Sequence, residues 1–159
     1  MSFINTGGIP PGSLTDVTTE AKWDLGKVVW SEDGKGYRYV QFADAVAVLK
    51  GHVMTYDAAG NNIVTNDVSG DADSELAAGV ALAAVATNTT TPQYGFVQVS
   101  GHCDTIITDE SVSDGDFLIP GTADGAAHTM SAGEEHKVFA VASATDAVAV
   151  GAGWLRGIL

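Results

Sequence analysis

The chain has 159 residues and a formal net charge of −13, with 7 basic residues against 20 acidic ones. Such a surface repels nucleic-acid phosphates and anionic lipid headgroups, which argues against nucleic-acid and membrane-surface binding and favours high solubility or docking on a basic partner. Apolar residues make up 45% of the chain, too many for disorder by composition, and 19 glycines with only 17% charged residues suit thin β layers with many turns better than a helical bundle.

Residues 1–22 read as an extended N-terminal arm. Gly7-Gly8-Ile9-Pro10-Pro11-Gly12 holds neither a helix nor a central strand. Two readings stay open for it: a frayed terminus, or an arm that crosses to a neighbouring subunit by adding a strand to its sheet. On the second reading Phe3, Ile4, Ile9, Pro10 and Pro11, with Trp23 where the folded part begins, are the candidate partner contacts. The start also lacks the basic and apolar regions of a signal peptide, and no run of 18 apolar residues follows, so a cytoplasmic product without membrane spans is expected. The single cysteine, Cys103, excludes an intrachain disulfide.

Residues 23–159 read as a single β domain. Residues 27–31 and 37–42 are rich in β-formers, and Glu32-Asp33-Gly34-Lys35-Gly36 between them signals a hairpin. On its second strand Arg38, Val40 and Phe42 share one face and Tyr37, Tyr39 and Gln41 the other. Trp30, Tyr37 and Tyr39 are either core or an exposed contact patch. Strands are expected at 51–56 and 63–65, and one helical turn at 74–78, capped by Ser74 and ended by Gly79. The run 79–86 should pair as a hairpin with a strand over 94–101, closed by a glycine at each end. There Phe96, Gln98 and Ser100 face one way, Val97 and Val99 the other. That strand is expected to end at His102-Cys103-Asp104, with another over 105–108. Further strands are expected at 115–120, 138–144 and 153–159. No element is assigned to 121–135. The apolar end, Leu155, Ile158 and Leu159, suits a docked strand.

Two similar β units emerge, at about 45–103 and 109–159. Gly51 is answered by Gly115, 64 residues on, Val80 by Phe139, 59 on, and Gly95 by Gly153, 58 on.

Little in the chain points to chemistry. Consecutive residues of a strand alternate faces, so His102, Cys103 and Asp104 do not converge, and no base or oxyanion hole is marked for the thiol. The four histidines, His52, His102, His128 and His136, show no metal-binding spacing. A calcium loop counted from Asp71 fails, with Leu76 where glycine is needed and Leu82 where glutamate is needed. Acidic loops at Asp109-Glu110 and Asp114-Gly115-Asp116 are at most loose ion sites. Asn88-Thr89-Thr90 forms a glycosylation sequon that, without secretion, marks a polar turn. No catalytic, cofactor-binding or metal-binding residue is assigned, and no enzyme is expected.

Several short motifs carry a resemblance: Tyr37-Arg38-Tyr39-Val40, then Lys50-Gly51-His52-Val53-Met54-Thr55-Tyr56, then Gly79-Val80-Ala81-Leu82-Ala83. Gly95-Phe96-Val97-Gln98-Val99-Ser100-Gly101, Val112-Ser113-Asp114-Gly115-Asp116-Phe117-Leu118 and Gly153-Trp154-Leu155 follow in the same order. Over residues 26–159 the chain resembles the capsid decoration (cement) proteins of tailed bacteriophages. His52 stands where that family usually has Asp. The resemblance implies a small β-tulip or β-clip-like barrel. It also implies a homotrimer on the outside of an expanded icosahedral capsid, made in the host bacterial cytoplasm. Its partner there is the major capsid protein, whose neighbouring subunits it bridges. The alternative is a virion fibre or adhesin-type module recognising a glycan or host surface, with Trp23, Trp30 or Tyr37 as a stacking platform. A third reading, an enzyme on such a scaffold, needs polar residues converging in one cleft, which the sequence does not display.

Overall fold

The computed structural model describes residues 14–43, 47–57, 62–68, 76–87, 90–147 and 150–157. Within these the fold is all-β. Ten strands run in chain order: β1 (Val28–Trp30), β2 (Gly36–Phe42), β3 (Val53–Tyr56), β4 (Ile63–Thr65), β5 (Ala77–Ala81), β6 (Gln93–Ile106), β7 (Phe117–Pro120), β8 (Ala127–Thr129), β9 (Ala140–Ala142) and β10 (Gly151–Arg156). A 3-10 turn, Glu135–Lys137, precedes β9.

Five of these strands close into a small barrel. β2 pairs with β4 in parallel; β4–β3, β3–β5, β5–β6 and β6–β2 are antiparallel and complete the circuit. Its interior takes one residue in two from each strand: Val40 and Phe42, Met54, Val64, Ala78, Val97 and Val99. The small residues Ala78 and Ala81 on β5 suit the narrow interior of such a barrel. Arg38 shares the inward face of β2, and its Nη1 donates to the Tyr56 hydroxyl at the end of β3.

The other face of β2 and β6 is buried as well. Tyr37, Tyr39 and Phe96 form an aromatic layer there with Val29 of β1 and Leu14. Trp23 packs edge-on to Tyr39, with ring centroids 5.2 Å apart, and lies 5.5 Å from Phe96. Residues 14–22, expected to belong to the arm, lie on this chain's own barrel. Leu14 is buried, Thr18 bridges Tyr94, and the Lys22 amide donates to the Tyr39 hydroxyl at 3.0 Å. Phe3, Ile4, Ile9, Pro10 and Pro11 lie outside the described residues.

The hairpin of β1 and β2 forms as expected, with Trp30 opposite Gly36. β6 differs from expectation. Gly101 does not end it; one strand runs from Gln93 through to Ile106 and takes in the first half of the segment 105–108 expected as a separate strand, while Thr108 bridges Ala127. Gly101 takes φ +84°, which kinks the strand, and a Cβ there would meet Lys35 Cα at 3.0 Å. The kink turns two carbonyls toward the buried Gln98, whose Nε2 donates to Ser100 O (3.1 Å) and His102 O (2.9 Å). The expected helical turn at 74–78 is also overturned in its described part. Ala77 and Ala78 belong to β5 because each alanine fills a different core, on opposite faces of the strand. The run 79–86 leaves the sheet at Leu82, which turns to the aromatic layer, and Val85 pairs singly with Val48. The segment 121–135 contains β8, too short for a sequence pattern to reveal.

The pairings of β3, β4, β5 and β6 recur in β7, β8, β9 and β10, so the sheet order β4-β3-β5-β6-β10-β9-β7-β8 is symmetric about its middle. Details recur too. Gly51 N–H donates to Ala81 O at 2.9 Å, and Gly115 N–H to Ala142 O at 3.0 Å. Val48 exchanges two hydrogen bonds with Val85, as Val112 does with Asp146. By this pattern Val80 answers to Val141, two residues beyond the match drawn from sequence. A third core seals the seam, with Val53 and Val80 from the barrel's outside against Ile106, Leu118, Phe139 and Leu155.

Gln98→Met keeps the volume but removes the donor that the half-buried Ser100 and His102 carbonyls share. It should cost about 1–3 kcal/mol, read as a lower urea midpoint with an unchanged m-value.

Candidate interaction surface

Cys103 points into the seam core, 5% exposed, and its thiol donates to Thr105 O at 3.3 Å. Burial pushes the thiol pKa up, which suits an inert packing residue rather than a nucleophile. His102 and Asp104 share the opposite face, with Nδ1 3.0 Å from Asp104 Oδ1 and Nε2 3.1 Å from Ser143 Oγ. The alternation expected of the three residues is therefore present. Among the described residues no three His, Cys, Asp or Glu side chains gather as a metal site. The loop from Asp71 and the Asn88 side chain lie outside the described residues.

Three carboxylates of the acidic loops, those of Asp109, Glu110 and Asp116, bond to the chain's own backbone. Asp109 Oδ2 accepts from Thr122 N–H at 3.1 Å, and Glu110 Oε1 accepts from both Thr129 N–H and Thr129 Oγ1 at 2.6 Å. Asp116 Oδ2 accepts from Ser113 N–H at 2.7 Å. These bonds tighten turns. The Thr129 hydroxyl, followed by the Thr129 amide, holds the Glu110 carboxyl below its ordinary range.

The aromatics that the fibre or adhesin alternative would use as a platform are largely taken up in packing. Tyr37 is 3% exposed, while Trp23 and Trp30 are half-buried. The exposed rings lie elsewhere. Phe117 of β7 pairs with Val141 of β9, Val141 with Trp154 of β10, and Trp154 with His102 of β6. Directly paired residues point the same way, so these four side chains form one row across the outer face of the second unit. Trp154 is 57% exposed and Phe117 46%. The Trp154 and His102 rings meet edge-on at 4.9 Å. Asp104 and Ser143 flank the row, and Lys35 lies 3.9 Å from Asp104. The signal was present in Gly153-Trp154-Leu155: alternation that buries Gly153 and Leu155 must turn Trp154 out. A cleft of about 430 Å³ lies at the seam between Tyr56, Leu76, Phe139, Lys137 and Arg156. Lys137 faces Glu134 there at 3.4 Å.

Fold and surface together define a small all-β barrel extended by a second sheet unit that presents an aromatic row. Among solved structures, the crystal structure of the N base of head fiber gp8.5 of bacteriophage phi29 is similar. The TM-score is 0.51 at 17% identity, over 77% of this chain and 98% of that one. At that identity the likeness shows the shared fold. No family model matches the chain. No curated protein matches it either. No helix among the described residues is long and apolar enough to cross a membrane.

Two predictions follow from the alternation on β10 and from Glu110. Trp154→Ser should change stability by no more than about 0.5 kcal/mol, while Leu155→Ala, one residue on, should cost about 2–5 kcal/mol; urea denaturation of both variants checks this. Because the folded pKa of Glu110 lies below its ordinary value of 4.5, its contribution is present above that pH and lost as pH falls through the folded pKa. The Tm gap between the parent and Glu110→Gln should therefore shrink on acidification from pH 6 to pH 3.

Proposed function

We propose that the chain is a structural virion protein of a tailed bacteriophage. It docks on the outside of an expanded icosahedral capsid, as a homotrimer, and bridges neighbouring subunits of the major capsid protein. The observation that carries this reading is the fold shared with a phage head-fiber base across nearly the whole of that chain. The motif order in the sequence supports the same direction.

The role is mechanical. The row Phe117, Val141, Trp154 and His102 supplies the apolar contact, with Phe117 and Trp154 exposed and Val141 and His102 half-buried between and beside them. Phe3, Ile4, Ile9, Pro10 and Pro11 add to that contact, and Leu14, buried in the aromatic layer on which Trp23 also packs, fixes where the arm leaves the barrel. Many weak contacts repeated around a closed shell sum by multivalency, so no single interface has to be strong. A second reading has one observation in its favour. An exposed indole beside Asp104 and Ser143 also suits stacking on a glycan, the work of a fibre or adhesin module.

Quantitative mass spectrometry of gradient-purified particles tests the proposal. A copy number comparable to the main shell protein is expected. A few copies per particle favours the fibre reading, and absence from particles overturns both. A deletion of residues 2–13, which leaves Leu14 and the aromatic layer in place, should lower capsid occupancy without shifting Tm by more than about 2 °C. Unchanged occupancy would remove the arm from the contact.

A further inference from the structure

His52 precedes β3 and is 9% exposed. Two donors converge on its Nδ1: the Leu49 backbone N–H at 3.2 Å and Asn66 Nδ2 at 2.9 Å. Asn66 Nδ2 also donates to Ala47 O at 3.2 Å, which fixes the orientation of that amide, because a carbonyl can only accept. Nδ1 must then carry the lone pair, and the ring is neutral with its proton on Nε2.

The ring also sits where the two units meet. Gly125, from the loop before β8, lies against it so closely that a Cβ would fall 2.5 Å from His52 Cγ. The surrounding bonds cross the seam. Val53 N–H donates to Gly125 O (2.8 Å), Gly125 N–H to Asn66 O (2.8 Å), and Val68 N–H to Asp124 Oδ1 (3.1 Å). The second unit makes the matching turn differently. Asp116 occupies the place of His52, and its carboxylate accepts from Ser113 N–H as His52 Nδ1 accepts from Leu49 N–H. A carboxylate keeps that role at mildly acid pH, whereas an imidazole loses it when Nδ1 is protonated.

We infer that His52 is an acid-sensitive latch holding the second β unit against the barrel. Protonation at Nδ1 sets a third donor against the Leu49 and Asn66 donors, both of which lose their acceptor. The seam through Asn66 and Gly125 then loosens before the barrel itself. Asp124, on the covering loop, is the charged group that acts on the ring and favours protonation; the flanking segments carry Lys50 and Asp67. Burial outweighs Asp124 and holds the pKa below the ordinary 6.5. Above pH 6.5 folded and unfolded chains are both neutral at this residue and the latch is fully set. As pH falls below 6.5 the unfolded chain takes the proton first, so stability is lost until the folded pKa is passed.

Amide hydrogen exchange followed by NMR between pH 7.5 and 5, corrected for intrinsic rates, tests the latch on the whole chain. The Val53, Gly125 and Val68 amides should lose about tenfold in protection, while Val40 and Val97 in the barrel wall keep theirs. His52→Asp, copying Asp116, should abolish the selective loss. Uniform exchange across both groups, or the same acid response in His52→Asp, overturns the latch. If that variant does not fold, the ring nitrogens of the parent decide. A proton on Nδ1 at pH 7.5, or a titration midpoint at or above 6.5, overturns it.

Discussion

The structure depends on one strand serving three cores. Val97 and Val99 of β6 fill the barrel, Phe96 joins the aromatic layer, and Cys103 and Ile106 seal the seam. A regular strand has two faces and cannot address three volumes in turn. The kink at Gly101 supplies the missing direction, and Gln98 takes up the two carbonyls that the kink releases. β2, β5 and β10 all take their register from this strand, so a slip there would displace both units at once.

What was legible in the sequence was local. Glu32-Asp33-Gly34-Lys35-Gly36 between two β-rich runs gives the first hairpin, and alternation sorts Tyr37 and Tyr39 from Val40 and Phe42. The all-β class and the small barrel were both within reach. What failed did so for tertiary reasons. A glycine in a strand reads as a terminator, yet at Gly101 it is a bend that pairing with β10 carries through. Ser74-Glu75-Leu76-Ala77-Ala78 reads as a capped helical turn, yet the alanines are needed where a barrel wall has a core on each side. Sequence left core and contact patch both open for Trp30, Tyr37 and Tyr39, because aromatic residues look alike in sequence, and the structure takes the core side. Tyr37 is covered by layers that sequence does not show, whereas Trp154 stands exposed because nothing described packs over its sheet face.

The charge has a structural use as well as a surface effect. Glycine-rich turns leave many amides without strand partners. Asp109 and Asp116 accept from such amides and Glu110 from the end of β8, so part of the excess acidity stiffens the loops and strand ends of the second unit. His52 does the same work with an uncharged ring at the one matched turn that is buried at the seam.

The closing of the barrel has a consequence for how the chain is made. β2 finds its longest partner in β6, with Tyr39 opposite Phe96. During synthesis the first hairpin and its tyrosines leave the ribosome well before that partner exists. At typical elongation rates of about 5–20 residues per second, the wait is several seconds. Until β6 arrives, apolar and aromatic side chains destined for two cores stand in water together. The nascent chain is then most exposed to aggregation in its first third, where six acidic side chains stand against five basic ones in residues 1–53; the excess negative charge arrives only with the later residues.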